Sequence, residues 1–418
     1  LSAQSPAIEA PSLRALFRER AFARMWAARL TGNLATMIES IALAWQVYAI
    51  ARQGGGVEQS ALAVGLLGLA QFLPMFALAL LAGETADRHD RRLIMIICMG
   101  VEFLSAAAFA LLAQAGSTAL WPIYALAALF GAARAFFSPA ASALGPTLVP
   151  RHLLPRAIAL NSLSWQVAAV VGPAIGGFLV AGSAALALAA AAAGFLAAAA
   201  ILLSFASPAQ DGAGGASRID QILEGLAYLR GNRIVLGAIS LDLFAVLLGG
   251  ATALLPVFAR DVLHVGSEGF GVLRGAPAVG GMGMAAWLAT RPIRRHAGVK
   301  MFLGVAGFGL ATVAFALSRS LWLSAGALAV LGAADMISVF VRSSLVQIAT
   351  PNEMRGRVGA VSYLFVGASN ELGEFESGVA ARFLGPVGAT LLGGLGSLGV
   401  TGLWAVIFPN LRKADRLD

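Results

Sequence analysis

Charge is scarce in this chain: Asp, Glu, Lys and Arg make up 12% of its 418 residues, about half the roughly 25% of a soluble domain. An ordinary water-soluble fold is excluded on that ground. Cysteine is nearly absent, with Cys98 alone inside an apolar block, so there is no disulfide framework, CxxC redox site or cysteine-rich metal site. The four histidines, His89, His152, His264 and His296, stand singly, with no pair at metal-ligand spacing. The alternation of apolar and polar residues that marks outer-membrane strands is missing too, which excludes a β-barrel. With 59% apolar residues, intrinsic disorder is excluded as well.

Apolar residues instead come in unbroken blocks about 20 residues long, with a mean hydropathy of +0.81. Such blocks read as transmembrane helices. The expected spans lie near 25–50, 61–82, 93–115, 119–143, 158–180 and 184–206, then 234–259, 269–290, 301–317, 321–347, 358–384 and 387–408. The blocks 61–82 and 184–206 carry no charge, and at 1.5 Å per residue they reach across a hydrocarbon core of about 30 Å. Twelve spans place both termini on one side. If that side is cytoplasmic, 21 Lys and Arg lie in cytoplasmic segments and four, Arg52, Arg260, Arg319 and Arg382, in external connections. The positive-inside rule therefore expects both termini in the cytoplasm. The net charge of +8 is spread around the apolar blocks and forms no single basic face, so nucleic acid is not an expected partner. No signal peptide is read in the first twenty residues.

The expected organisation is a cytoplasmic segment, 1–24; a six-helix half, 25–206; a cytoplasmic linker, 207–232; a second six-helix half, 233–409; and a tail, 410–418. The linker opens Gly/Ala/Ser-rich and continues as an amphipathic piece, Ile219, Ile222, Leu223, Leu226 and Leu229. The halves repeat at an offset of 201. Phe130-Gly131-Ala132-Ala133-Arg134 lies over Leu331-Gly332-Ala333-Ala334-Asp335, Pro150 over Pro351, Arg156 over Arg357, and Gly172 and Gly177 over Gly373 and Gly378. Two parallel repeats imply a pseudo-two-fold axis along the membrane normal, a common plan for transporters.

The first internal loop reads Gly83-Glu84-Thr85-Ala86-Asp87-Arg88-His89-Asp90-Arg91-Arg92. Its glycine permits a tight turn, Asp87 can cap or face a helix amino terminus, and its arginines suit lipid headgroups. The repeat copy, Thr290-Arg291-Pro292-Ile293-Arg294-Arg295, keeps the basic pair without the acid. Only the first copy is therefore equipped as a charged latch. The fifth span carries Gly172-Pro173-Ala174-Ile175-Gly176-Gly177. Proline removes a backbone donor and the glycines allow close contact, so this helix can bend or slide against the other half; plain small-residue packing is the alternative.

The loop resembles the one between helices 2 and 3 of the major facilitator superfamily. The glycine-proline run resembles the core of the antiporter motif of its drug-exporting members, although Ala159 and Ala168 stand where two upstream glycines occur. Two further stretches, Leu148-Val149-Pro150 through Leu160-Asn161-Ser162 and Thr350-Pro351-Asn352-Glu353-Met354-Arg355-Gly356-Arg357-Val358 followed by Asn370 to Gly378, resemble the drug:proton antiporter branch with enterobactin exporters and macrolide efflux proteins. The resemblance covers nearly the whole chain. It implies an all-α integral membrane fold of 12 transmembrane helices in two pseudo-symmetric halves, and export from the cytoplasm driven by an ion gradient.

A charge at the membrane centre costs at least about 2.5–3.5 kcal/mol, so each one is a candidate site. The resemblance implies that helices 1, 4, 7 and 10 line a central cavity, and these carry Glu39, Arg134, Asp242 and Asp335. Glu39 and Arg134 both fall near mid-depth and are expected to pair, directly or through water. Arg29, Asn33, Thr36 and Ser40 form one polar stripe on the first span, and Asp335, Ser338 and Arg342 do so on the tenth. On the eleventh, Gly367, Glu371, Glu374 and Gly378 share a face. Its two carboxylates repel if both ionise, so a proton shared or exchanged there would couple transport. Glu39, Asp242 and Asp335 are rival carriers. A structural ion pair is the alternative for every one of these charges, above all for Glu102 on the third span. Arg274 is expected to snorkel to the headgroups. Aromatics such as Tyr48, Phe136, Phe137, Phe244, Tyr363 and Phe365 contact cargo or simply pack.

The function expected is secondary active transport: export of an amphipathic drug or siderophore by alternating access, in exchange for protons, with no cofactor beyond the proton gradient and no metal. With the cavity open outward, Asp87 would meet the amino terminus of helix 11 and Arg355 or Arg357, with Gly83, Arg88, Arg91 and Arg92 completing the latch. A carrier of lysophospholipid or another lipid is the alternative. A membrane enzyme or scaffold is disfavoured, because the loops are short and hold no clustered nucleophile, base or metal ligands. The expected setting is the bacterial inner membrane, with lipid and a small amphipathic substrate as partners and a monomer as the assembly.

Overall fold

The computed structural model describes residues 13–206 and 218–415, apart from Pro292, Arg294, Asn352 and Glu353. The Gly/Ala/Ser-rich start of the linker and the last three residues of the tail lie outside the described residues. The first half consists of α1 (Arg20–Gly54), α2 (Val57–Arg88), α3 (Arg91–Gln114), α4 (Trp121–Leu144), α5 (Leu154–Gly182) and α6 (Ala184–Leu203). The second opens with α7 (Arg233–Val262), followed by α8 (Ser267–Thr290), α9 (Ala297–Leu317) and α10 (Leu321–Ala349). A last helical run, Arg355–Ile407, breaks at Gly385 (φ 69°, ψ 167°) into α11 (355–384) and α12 (386–407). The left-handed φ is accessible to glycine, and Pro386 follows immediately.

Among the described residues, ten runs are long and apolar enough to cross a membrane. The last of these holds α11 and α12, and the glycine-rich α8 completes twelve helices. Both ends of the described chain, 13 and 415, accordingly lie on one face, here termed the terminal face; the opposite one is the distal face. α7 is not continuous. It breaks at Gly249 and Gly250, winds as a 3-10 turn over Ala251–Leu254, and closes as a π-helix over Phe258–Val262. A helix over Arg218–Gly231 bridges the halves on the terminal face, and Asn232 caps α7 by accepting from the Ile234 and Val235 amides, both at 3.2 Å.

Within each half, matching helices cross at matching glycines. Gly131 of α4 meets α2, where an added Cβ would overlap the Gln71 carbonyl oxygen; Gly332 of α10 meets α8 in the same way at the Pro277 carbonyl. These two glycines are equivalent in the 201-residue repeat. The halves meet along α2 with α11 and α5 with α8. A Cβ on Gly65 would stand 3.1 Å from the Gly378 Cα, and one on Gly177 would stand 3.0 Å from the Gly271 Cα. Gly177 and Gly378 are again repeat partners, so one backbone contact is made twice across the interface. Gly172 and Gly176 instead face α1 of their own half, against Met37 and Ile41. Of the fifth-span glycines, Gly177 is the one set against the other half.

The apolar core shows where the halves are joined. One cluster fills the first half and takes in Leu254, Leu255, Val257, Phe258, Phe270 and Leu273 from the distal ends of α7 and α8. The terminal part of α7, Ala238 and Leu241 among it, belongs to a separate cluster with Met301, Val341 and Leu345.

Gly332→Ala should lower the thermal unfolding temperature of the detergent-purified protein, because overpacking against a backbone oxygen costs about 1–3 kcal/mol. Gly326→Ala, on the same helix with nothing within 4 Å of its Cβ position, should leave that temperature unchanged.

Candidate functional site

Two groups of buried charge occupy mid-depth, one in each half. In the first, Arg134 Nη1 of α4 lies 3.7 Å from Glu102 Oε1 of α3. The direct partner of Arg134 is Glu102, which α3 presents fully buried; Glu39, expected to pair with it directly or through water, makes no direct ion pair among the described residues. Glu39 of α1 is 1% exposed, with neither carboxylate oxygen hydrogen-bonded. It remains within electrostatic range of both Glu102 and Arg134. Phe137 covers the guanidinium, its ring centre 5.5 Å from the Arg134 Cζ. In the second half, Arg342 Nη2 of α10 lies 3.4 Å from Asp242 Oδ2 of α7, and the Ser338 hydroxyl lies 3.5 Å from Asp242 Oδ1. Asp335, two turns earlier on α10, is in electrostatic range of Asp242 and Arg342. Each half thus sets two carboxylates around one arginine.

The polar stripe of α1 is only partly available to a ligand. Thr36 and Ser40 turn their hydroxyls onto the Gly32 and Met37 carbonyls of their own helix, at 3.0 and 2.9 Å. Asn33 is buried, and Arg29 reaches the Ala141 carbonyl of α4 at 3.5 Å.

Polar and aromatic contacts join the halves at the distal face. Asp261, in the π-helical end of α7, accepts a hydrogen bond from the Tyr48 hydroxyl and one at 3.1 Å from Arg52 Nη2, both donors on α1. Trp45 stacks on Phe270 of α8 with ring centres 5.9 Å apart. Arg274, which the sequence led us to expect at the headgroups, has protein partners. It pairs with Glu374 at 3.6 Å and donates to the Thr252 carbonyl at 3.3 Å, while the Thr252 hydroxyl lies 3.4 Å from the same carboxylate. Glu374 in turn lies over Gly68 of α2, so this pair sits where the halves cross. The side chains of Glu371 and Tyr363 lie outside those described. The contact of Asp261 with Tyr48 and Arg52 was missed in the sequence because Asp261 follows the expected end of the seventh span and Tyr48 lies 213 residues away.

The motif loop differs from its sequence reading. α2 runs through Gly83, which is helical and buried, and ends at Arg88; the turn falls at His89 and Asp90. The residue capping α3 is Asp90, which accepts from the Arg92 amide at 2.8 Å and the Leu93 amide at 3.4 Å. The arginines satisfy helix carboxyl ends: Arg91 bonds the Ala86 and Ala143 carbonyls at 3.1 and 3.3 Å, and Arg92 those of Leu202 and Leu203 at 2.7 and 3.0 Å. Arg88 pairs with Glu84 at 2.7 Å on the surface, and Asp87 is half-buried in the last turn of α2. Arg355 bonds the Gln347 and Thr350 carbonyls, while Arg357 pairs at 2.5 Å with Glu224 of the bridging helix.

The profile of a family described as transmembrane secretion effector matches residues 12–418. The enterobactin exporter EntS of Shigella boydii is 26% identical over 341 residues, which cover 81% of this chain and 77% of that protein. Among solved structures, a D-xylose–proton symporter superposes with a TM-score of 0.71 at 13% identity, covering 93% of this chain and 97% of the other. A bacterial homologue of the iron transporter ferroportin in an inward-facing state superposes with a TM-score of 0.67 at 18% identity, covering 96% and 100%. Both are similar in fold.

Hydrogen bonds to a charged acceptor contribute about 1.5–3 kcal/mol, so Asp261→Asn should shift the population toward distal opening by about tenfold or more. In a Thr36→Cys background, labelling by an impermeant maleimide from the distal side should speed up correspondingly. An unchanged rate would show that Asp261 does not hold the halves together.

Proposed function

Because the chain belongs to the transmembrane secretion effector family of the major facilitator superfamily, whose members are transporters and not enzymes, we propose that it exports amphipathic small molecules from the cytoplasm in exchange for protons. The observation that carries this reading is the grouping of two buried carboxylates around one arginine in each half: Glu102 pairs with Arg134 and Asp242 with Arg342, while Glu39 and Asp335 lie in electrostatic range. An unpaired charge at this depth costs at least about 2.5–3.5 kcal/mol, so two acids sharing one guanidinium are best accommodated with a proton between them. Such a proton is released when the environment of the pair changes, which is what alternating exposure to the two faces does.

The excess of Lys and Arg on the terminal side supports a cytoplasmic terminal face. The distal contacts of Asp261, Trp45 and Glu374 then correspond to closure on the outside, with the cavity facing the cytoplasm. In the opposite state Asp87 would approach the start of α11, and Arg357, now held by Glu224, would change partner. The drive is adequate, since one charge moving through 100 mV supplies about 2.3 kcal/mol. The relatives named as enterobactin exporters favour a siderophore as cargo.

The test is enterobactin uptake into inside-acidic proteoliposomes. Glu39→Gln, Glu102→Gln, Asp242→Asn, Asp335→Asn and Glu374→Gln should separate the carriers from the structural pairs. Loss of the proton carrier should abolish gradient-driven uptake while leaving counterflow down a substrate gradient intact. Unchanged uptake in all five variants would refute proton exchange through these carboxylates.

A further inference from the structure

Arg29 is a transmembrane cation that the charge groups do not use. It is half-buried on α1, five residues in from Arg24, about 7.5 Å along the helix. Among the described residues no carboxylate lies within ion-pair distance of it. Its Nε is buried with no hydrogen-bond partner, and Nη1 has the 3.5 Å contact to the Ala141 carbonyl. Its charge is felt by Arg134, not balanced by it. A guanidinium carries five donors in a planar fork, and here the Nε donor is buried without an acceptor.

The surroundings also lack an internal counter-ion. Thr36 and Ser40 are turned onto their own helix, which leaves Asn33, one turn from Arg29, as its polar neighbour on the stripe. One turn beyond Ala141 on α4, Gly145 lies against Asn161 of α5, whose Oδ1 is buried and without a partner. A cation with an unpartnered donor and an acceptor with no donor thus lie on α1 and α5, two helices of the same half that pack together.

We propose that Arg29, with Asn33, binds an anionic oxygen-bearing group, such as a carboxylate, catecholate or phosphate ester, carried by the transported molecule, and that Asn161 accepts from a hydroxyl or N–H of the same molecule. This assignment rests on reading the chain as an exporter. It sets the charge class of the cargo: an acidic amphiphile satisfies Arg29, while a purely cationic one meets repulsion from it.

Binding tests the assignment apart from transport. The full chain, in nanodiscs of zwitterionic phosphatidylcholine, is titrated with carboxyfluorescein, lysophosphatidylglycerol and rhodamine 6G, and tryptophan quenching gives the dissociation constants. Carboxyfluorescein should bind, Arg29→Gln should weaken it by about tenfold or more, and Arg29→Lys should weaken it less. Rhodamine 6G should show no loss in Arg29→Gln. Arg29-dependent binding of lysophosphatidylglycerol, but not of carboxyfluorescein, would still support an anion site and identify lipid as the source of the anion. The proposal is overturned if neither anion binds in an Arg29-dependent way, or if rhodamine 6G alone binds. Equal unfolding temperatures of the variants without probe exclude misfolding as the cause. Anion binding with no proton-driven uptake would refute the exchange mechanism and leave the site standing.

Discussion

Charge surrounded by hydrocarbon must be neutralised, and that requirement orders the interior of this protein. Arg134 and Arg342 are the points around which it is met. Each is set by a carboxylate from a neighbouring helix, at 3.7 and 3.4 Å, with a second carboxylate in electrostatic range. The repeat places Asp335 at the position equivalent to Arg134, so the two halves carry opposite signs at the same backbone site. What the halves share is the balance of one cation against two acids. Arg342 restores it two turns along α10.

Rigid halves are a condition for this arrangement to move as a unit. Arg91 and Arg92, at the start of α3, bind carbonyls at the ends of α2, α4 and α6. Three helices are thereby tied at one corner, their orphan carbonyls satisfied by charge-assisted bonds. Between the halves the contacts are of another kind. Gly65 on Gly378 and Gly177 on Gly271 bring backbones together without interlocking side chains. Smooth crossings of that sort permit rotation, while Asp261, Tyr48 and Arg52 hold the distal ends together with polar bonds that can be broken.

Much of this was legible in one dimension. Spans, the repeat and the resemblance follow from apolar runs and from glycines such as Gly131 and Gly332, whose identity is demanded locally by a backbone passing at contact distance. The candidate charges were legible as well, because any acid or base inside an apolar run stands out. Their partners were not. Glu102 was read as a structural ion pair with no partner named, and its partner is Arg134; Arg274 was assigned to the headgroups and holds Glu374. The motif loop was recognised, yet Asp90, Arg91 and Arg92 cap and tie helices where a turn at Gly83 and contact with headgroups were expected.

By itself the sequence determined that this chain spans a membrane about twelve times in two related halves, because hydropathy and length act within a single helix and need no neighbour. Tertiary structure alone decided which charges meet, where the halves close and which cation is left over. Those outcomes depend on rotation and depth of one helix against another. A shift of one residue turns a side chain by about 100° around the helix, and no pattern along the chain records how α1 faces α3, α4 and α7.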